Sequence, residues 1–180
     1  MQKEELLTKI DELPLFRLRD VAVKEIEVIE PEPNNEAPYG QEDKEIERWE
    51  QQEKHQAVTE TNSVEAIAFV SDKYQLVQFK EMFVPIAEKM GDCEGSLAYY
   101  FGFAIMDIFP AQEEYKINGD RIGIVAYNSV DKTSALNIRF CVEHNGRKIT
   151  IPKKVASFRK VHLGNIGQMT QDYISVITKI

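Results

Sequence analysis

Leu136-Asn137-Ile138-Arg139-Phe140-Cys141-Val142-Glu143-His144-Asn145-Gly146-Arg147-Lys148-Ile149-Thr150-Ile151 alternates apolar and polar residues on either side of Asn145-Gly146. An Asn-Gly pair between such runs predicts a β-hairpin, because a type I′ turn needs positive φ at both central residues. A two-residue turn sets the register: His144 faces Arg147, Val142 faces Ile149, Phe140 faces Ile151, Glu143 faces Lys148 and Cys141 faces Thr150. One face is then apolar, with Leu136 and Ile138 added, and the other carries Asn137, Arg139, Cys141, Glu143 and Lys148.

Upstream, Asn118-Gly119 repeats the signal between Tyr115-Lys116-Ile117 and the run Arg121 to Tyr127. Leu97 to Phe109 is rich in aromatic and branched residues, and Ala66 to Val70 reads as a buried strand ending at Ser71-Asp72, with Tyr74 to Val77 as its continuation. Phe79, Met82, Phe83, Ile86, Ala87 and Met90 fall at helical spacing, which predicts a helix over 79–90 closed by Gly91. Pro85 requires either a start near Lys80 or a kink. Downstream, Ile166, Met169, Tyr173, Val176 and Ile180 predict a second helix over 165–180, whose stripe must bury against its own sheet or another subunit.

Toward the front, Glu4 to Ile10 reads as a short helix and Leu18 to Val23, with Ile26, Val28 and Ile29, as strand. Residues 31–38 are a Pro-rich polar connection, and Gln41 to Gln56 reads as a solvated acidic helix docked by Ile46 and Trp49, with Glu50 and Lys54 as an i,i+4 pair. The expected fold is α+β: an antiparallel sheet from the 66–151 region, helices at 79–90 and 165–180 packed on it, and an acidic helical insertion. The expected divisions are a helix and strand at 1–30, the insertion at 31–56 and a core domain at 57–180.

The 180 residues are 43% hydrophobic and 29% charged, which supports a sizeable core and argues against global disorder. No run approaches ~18 uninterrupted apolar residues, and Met1-Gln2-Lys3-Glu4-Glu5 lacks signal-peptide character, so an intracellular, cytoplasmic protein without membrane contact is expected. The net charge of −8 is unevenly spread: residues 1–131 hold 13 Lys and Arg against 28 Asp and Glu, and residues 132–180 hold 9 against 2. This basic quarter suits a phosphate-binding face, an intramolecular contact or a head-to-tail contact between subunits.

Three stretches resemble a family of phage- and plasmid-type proteins designated "domain of unknown function 932". Val70-Ser71-Asp72-Lys73-Tyr74-Gln75-Leu76-Val77-Gln78, with Glu81 and Phe83, is similar to its VSDRYxxVQNxExF segment. Asn128-Ser129-Val130-Asp131-Lys132-Thr133-Ser134-Ala135-Leu136, leading to Arg139-Phe140, is similar to its NSHDGSSALRVxF segment, and Phe158 to Ile166 to its RHTGNI ending. Phe79 stands where the family has Asn, Lys132 where it has Gly, and the stretch after the second segment is rewritten around Cys141 and Asn145-Gly146. The resemblance covers about residues 55–170 and implies a virus- or plasmid-borne setting without naming a reaction.

Cys141-x-x-His144 has half-site spacing for zinc, with Cys93 or His162 to complete it. In the hairpin register the two side chains leave opposite faces of one strand, so no metal is expected there. Ser71-Asp72, and Ser129 with Asp131 and His162, are imaginable catalytic sets, but no GxSxG elbow, HExxH or Walker loop accompanies them. Asp72 and Asp131 read as turn residues bonding their own backbone, and neither catalysis nor a cofactor is expected.

The strongest candidate is the basic strip Arg139, Arg147, Lys148, Lys153, Lys154, Arg159, Lys160 and His162, with Phe158 interleaved, all within 24 residues. Closely spaced cations suit phosphates, and Tyr127, Phe158 and Tyr173 offer rings for unpaired bases. The expected function is a non-enzymatic, oligomeric accessory protein binding nucleic acid, single strands favoured. The alternative is a protein-interaction factor whose acidic 25–60 region engages a basic partner while the basic quarter serves self-association.

Overall fold

The computed structural model describes residues 1–29, 44–151 and 157–160. Helix α1 (Lys3–Asp11) leads into β1 (Phe16–Ile29), β2 (Lys44–Glu60) and β3 (Ala66–Ser71), then α2 (Phe79–Lys89). A run of strands follows: β4 (Cys93–Tyr100), β5 (Phe103–Pro110), β6 (Lys116–Ile117), β7 (Asp120–Ser129), β8 (Leu136–His144), β9 (Arg147–Thr150) and β10 (Ser157–Lys160). The fold is α+β, with two antiparallel sheets. The smaller has the order β1-β2-β3; the larger runs β10-β8-β7-β5-β4, with β6 on β7 and β9 on β8.

Both Asn-Gly turns form as their sequence predicts. Asn118 and Gly119 have φ of 53° and 89°, Asn145 and Gly146 have 48° and 73°, and β8 pairs β9 in the expected register from Cys141↔Thr150 to His144↔Arg147. One side of the larger sheet, including Met106, Ile108, Ile124, Ala126, Leu136 and Ile138, packs in a common core with Leu6 and Ile10 of α1 and Met82, Phe83 and Ile86 of α2. At its edge, Gln2 bridges Glu94 and the Gly95 N–H donates to the Met1 carbonyl at 2.9 Å.

Helix α2 starts at Phe79, so Pro85 lies inside it. The proline removes one backbone donor inside the helix, while Gln78 and Glu81 cap its N-terminus, where the Glu81 carboxylate accepts from the Gln78 N–H at 2.9 Å. The Gln78 side chain also accepts from the Phe16 N–H at 3.0 Å and donates to the Phe16 carbonyl at 2.8 Å. Phe79 packs edge-on to Phe16 of β1 (5.5 Å) and to Tyr99 of β4 (5.9 Å), and stacks on Phe83 (6.1 Å). The first turn of α2 thereby joins the two sheets.

Three expectations are corrected. Residues 44–56 form strand rather than an acidic helix: β2 pairs with β1 from Phe16↔Glu60 to Ile29↔Lys44. Glu, Gln, Lys and Arg favour helix locally, but the β-branched partner strand overrides that preference, and Trp49, expected to dock, is 66% exposed. Residues 66–71 belong to a separate sheet and form its edge, so Phe69 is exposed rather than buried. Tyr74 to Val77 does not continue that strand. The expected helix over 165–180 lies outside the described residues. No described helix is long and apolar enough to cross a membrane.

Two of the three segments that carry the resemblance, 70–78 and 128–136, meet in the core. Tyr74 Oη donates to the Val130 carbonyl at 3.3 Å, and Asn128 Nδ2 donates to the Val77 carbonyl at 2.9 Å. Lys132 has a φ of 66°, a left-handed conformation that strains a side chain and suits glycine.

Two stability outcomes follow from this packing. Phe79→Ala is expected to lower the unfolding free energy in urea by about 3–5 kcal/mol, because the cavity falls where both sheets meet. Lys132→Gly is expected to raise it by up to about 1 kcal/mol by relieving the left-handed residue.

Candidate nucleic-acid interface

Strand alternation gives the larger sheet a second face, opposite the helices. Register places Ile105, Tyr127, Asn137 and Arg159 in one row across it and Asp107, Val125, Arg139 and Ser157 in the next. Tyr100 and Phe103 pair in a row beyond Ile105. In the opposite direction come Cys141 with Thr150, and Arg121, Glu143 and Lys148.

The two ends of this face differ in chemistry. At one end the Phe109 ring lies under two cations, Arg121 at 5.1 Å and Lys148 at 5.6 Å. Arg121 bridges Glu94 at 3.0 Å and Glu143 at 3.2 Å, while Lys148 pairs with Asp107. Gly123 is required beneath: a Cβ there would lie 2.3 Å from the Ile108 carbonyl oxygen and 2.5 Å from the Phe109 ring. This end is a closed ionic lattice over a buried ring.

The other end is open and aromatic. Tyr127 and Phe103 have ring centroids 6.0 Å apart. The Arg139 guanidinium carbon lies 5.4 Å from the Tyr127 ring centroid; its Nη2 donates to Tyr127 Oη at 2.5 Å and its Nε to Asn137 Oδ1 at 3.1 Å. These bonds orient Arg139 without neutralising it. Arg159 is exposed beside it, and Tyr100 is 65% exposed at the hairpin end.

The strip read from sequence is therefore divided. Arg139 and Arg159 share the open end, Lys148 is held in the ionic lattice, and Arg147 is exposed beside the β8–β9 turn. Phe158 and Lys160 are register partners of the core positions Ile138 and Leu136, out of phase with Arg159. Lys153, Lys154, His162 and Tyr173 lie outside the described residues. Sequence reading missed Arg121, Phe109, Phe103 and Tyr100; their alternation with core residues in β4, β5 and β7 was the available signal.

The other chemistry candidates resolve structurally. Cys141 is buried within the outward-face cluster, whereas His144 is exposed and its Nδ1 lies 2.7 Å from Asp120 Oδ1. Among the described residues no group of three or more His, Cys, Asp and Glu converges as for a metal. Asp131 Oδ1 accepts from the Thr133 N–H at 2.9 Å and its hydroxyl at 2.6 Å, a turn role as expected. Ser129 Oγ donates to the Ser134 carbonyl and accepts from the Ser134 N–H, both at 3.0 Å, closing the same loop. A hollow of about 400 Å³ beside Asp11 and Glu60 lies at the base of the smaller sheet, and the hydroxyl that lines it, Thr61 Oγ1, donates to the Leu15 carbonyl at 3.0 Å.

The chain matches no family model, no curated protein and no solved structure.

Burial pushes the Cys141 thiol up to about 12, with Asp107 adding to it, and raises Cys93 as well. Both thiols hold their protons to higher pH in the folded chain than in the unfolded one, whose cysteines ionise near 9.0. Unfolding therefore releases protons above that pH, and stability falls as pH rises past it toward the folded values. The melting temperature is expected to be lower at pH 10.5 than at pH 8. At pH 8 a thiol reagent such as DTNB should leave both cysteines untouched until denaturant is added.

Proposed function

We propose that the protein binds single-stranded nucleic acid across the open end of the outward face of its larger sheet, as a non-enzymatic accessory protein. The observation that carries this reading is the Phe103–Tyr127–Arg139 cluster with Arg159 and exposed Tyr100 alongside. Rings on a sheet surface stack with unpaired bases, and guanidinium groups held by neutral partners remain available to phosphates. Lys153 and Lys154, close in sequence to Arg159, add positive charge. A duplex buries its base faces, so the rings favour a single strand. The resemblance to phage- and plasmid-type proteins supplies a setting in which such accessories serve replication or recombination.

Fluorescence anisotropy of labelled single-stranded and duplex DNA at two salt concentrations tests this. Salt-sensitive binding that prefers the single strand is expected. Replacing Arg139 and Arg159 together by Gln should lower the magnitude of the slope of log K against log salt by roughly 1.4, the effect of two phosphate contacts. Tyr127→Leu should weaken binding by about 1–3 kcal/mol. Absence of binding at low salt, or a double variant indistinguishable from the parent, overturns the proposal.

A further inference from the structure

The β1–β2 ribbon outruns the sheet that anchors it. Strand β3 covers β2 only from His55 to Thr59, whereas β1 and β2 stay paired through eight further positions, from Ala22↔Gln51 to Ile29↔Lys44. At ~3.4 Å per residue this is an arm of roughly 25 Å made of two strands alone. Glu47, Arg48, Trp49, Glu50 and Gln51 are all exposed, although successive residues point to opposite faces, so at this level neither face of the arm rests on the body. Lys24, 2.5 Å from Glu47, lies 5.9 Å from the Trp49 ring centroid, and that ring is otherwise open to solvent.

A two-stranded ribbon is marginal in water, and an exposed Trp on it is the residue type that anchors interfaces. Charge identifies what it meets. Residues 22–51, over which the arm runs out and back, hold ten Asp and Glu against three Lys and Arg, a balance of −7. Two such arms repel each other, and a nucleic acid repels the arm. The chain's own basic quarter, residues 132–180 at +7, is complementary to it.

We infer that the ribbon is a self-association arm, with Trp49 and the flanking carboxylates docking on the Arg139–Arg159 end of the outward sheet face of a second copy. The contact joins two different surfaces, so it closes as a reciprocal exchange of arms or a larger ring, or runs on as an open chain. Nucleic acid on the same face competes with the arm. Association measured without nucleic acid therefore tests the arm independently of DNA binding.

The experiment is sedimentation velocity of the full chain across a concentration series at about 50 mM and about 500 mM salt, since screening weakens exposed charge pairs. The parent is expected to associate at low salt and to dissociate at high salt, and Trp49→Ser to associate at least tenfold more weakly. Glu47→Lys with Glu50→Lys reverses one carboxylate on each face of the arm; Arg139→Glu with Arg159→Glu reverses the receiving surface. Each double variant alone should be monomeric, and an equimolar mixture should regain association, because the reversed arm then fits the reversed face. Circular dichroism and melting of each variant establish that it is folded. A parent that stays monomeric at low salt overturns the inference, as does association that survives both reversals or a mixture of folded variants that fails to recover it.

Discussion

Phe79, the first residue of α2, is inserted between Phe16 of one sheet and Tyr99 of the other, and the arrangement of the molecule depends on it. An aromatic ring with edge-on neighbours on two sides fixes direction as well as distance, because its faces and edges carry opposite partial charge. Gln78 reinforces the joint by pairing its amide with both backbone groups of Phe16, as a neighbouring strand would. With that junction set, the helices occupy one side of the larger sheet and its other side stays open. The smaller sheet, held at its base, carries the ribbon beyond the body.

The open side solves two problems at its two ends. Around Phe109, cations, carboxylates and a glycine cover a ring that no second layer protects, so apolar surface is hidden without a helix. Around Tyr127 the cation is oriented by neutral partners and the rings stay reachable. The same residue types, Arg over an aromatic ring, thus seal one end and leave the other accessible. What separates them is the presence of Glu94, Glu143 and Asp107 at the sealed end.

Features set by neighbouring residues were legible in the sequence. Asn118-Gly119 and Asn145-Gly146 specify their turns by local backbone preference, and the register of β8 and β9 follows by counting outward from the second of them. Helix α2 was legible from its periodicity. The segment 44–60 was not, because what makes it strand is pairing with β1, up to 44 residues away at Phe16↔Glu60. The division of the cationic strip depends on parity and on partners in other strands: Lys148 meets Asp107 and Arg139 meets Tyr127 only once β5, β7 and β8 are side by side. One sheet was expected where there are two, since nothing local to residues 66–71 distinguishes pairing with β2 from pairing with the later strands.

The bridge between Gln2 and Glu94 bears on the order in which the molecule assembles. Strands β4, β5, β7 and β8 are sequential neighbours and gather from contacts close along the chain, which form quickly. Helix α1, synthesised before them, has its sheet-edge partner 92 residues downstream. During synthesis the apolar residues Leu6 and Ile10 therefore precede by some 70 residues or more the α2 and β4 side chains that cover them. The acidic and polar residues around them, Glu4, Glu5, Lys9, Asp11 and Glu12, keep that segment hydrated until its partners arrive.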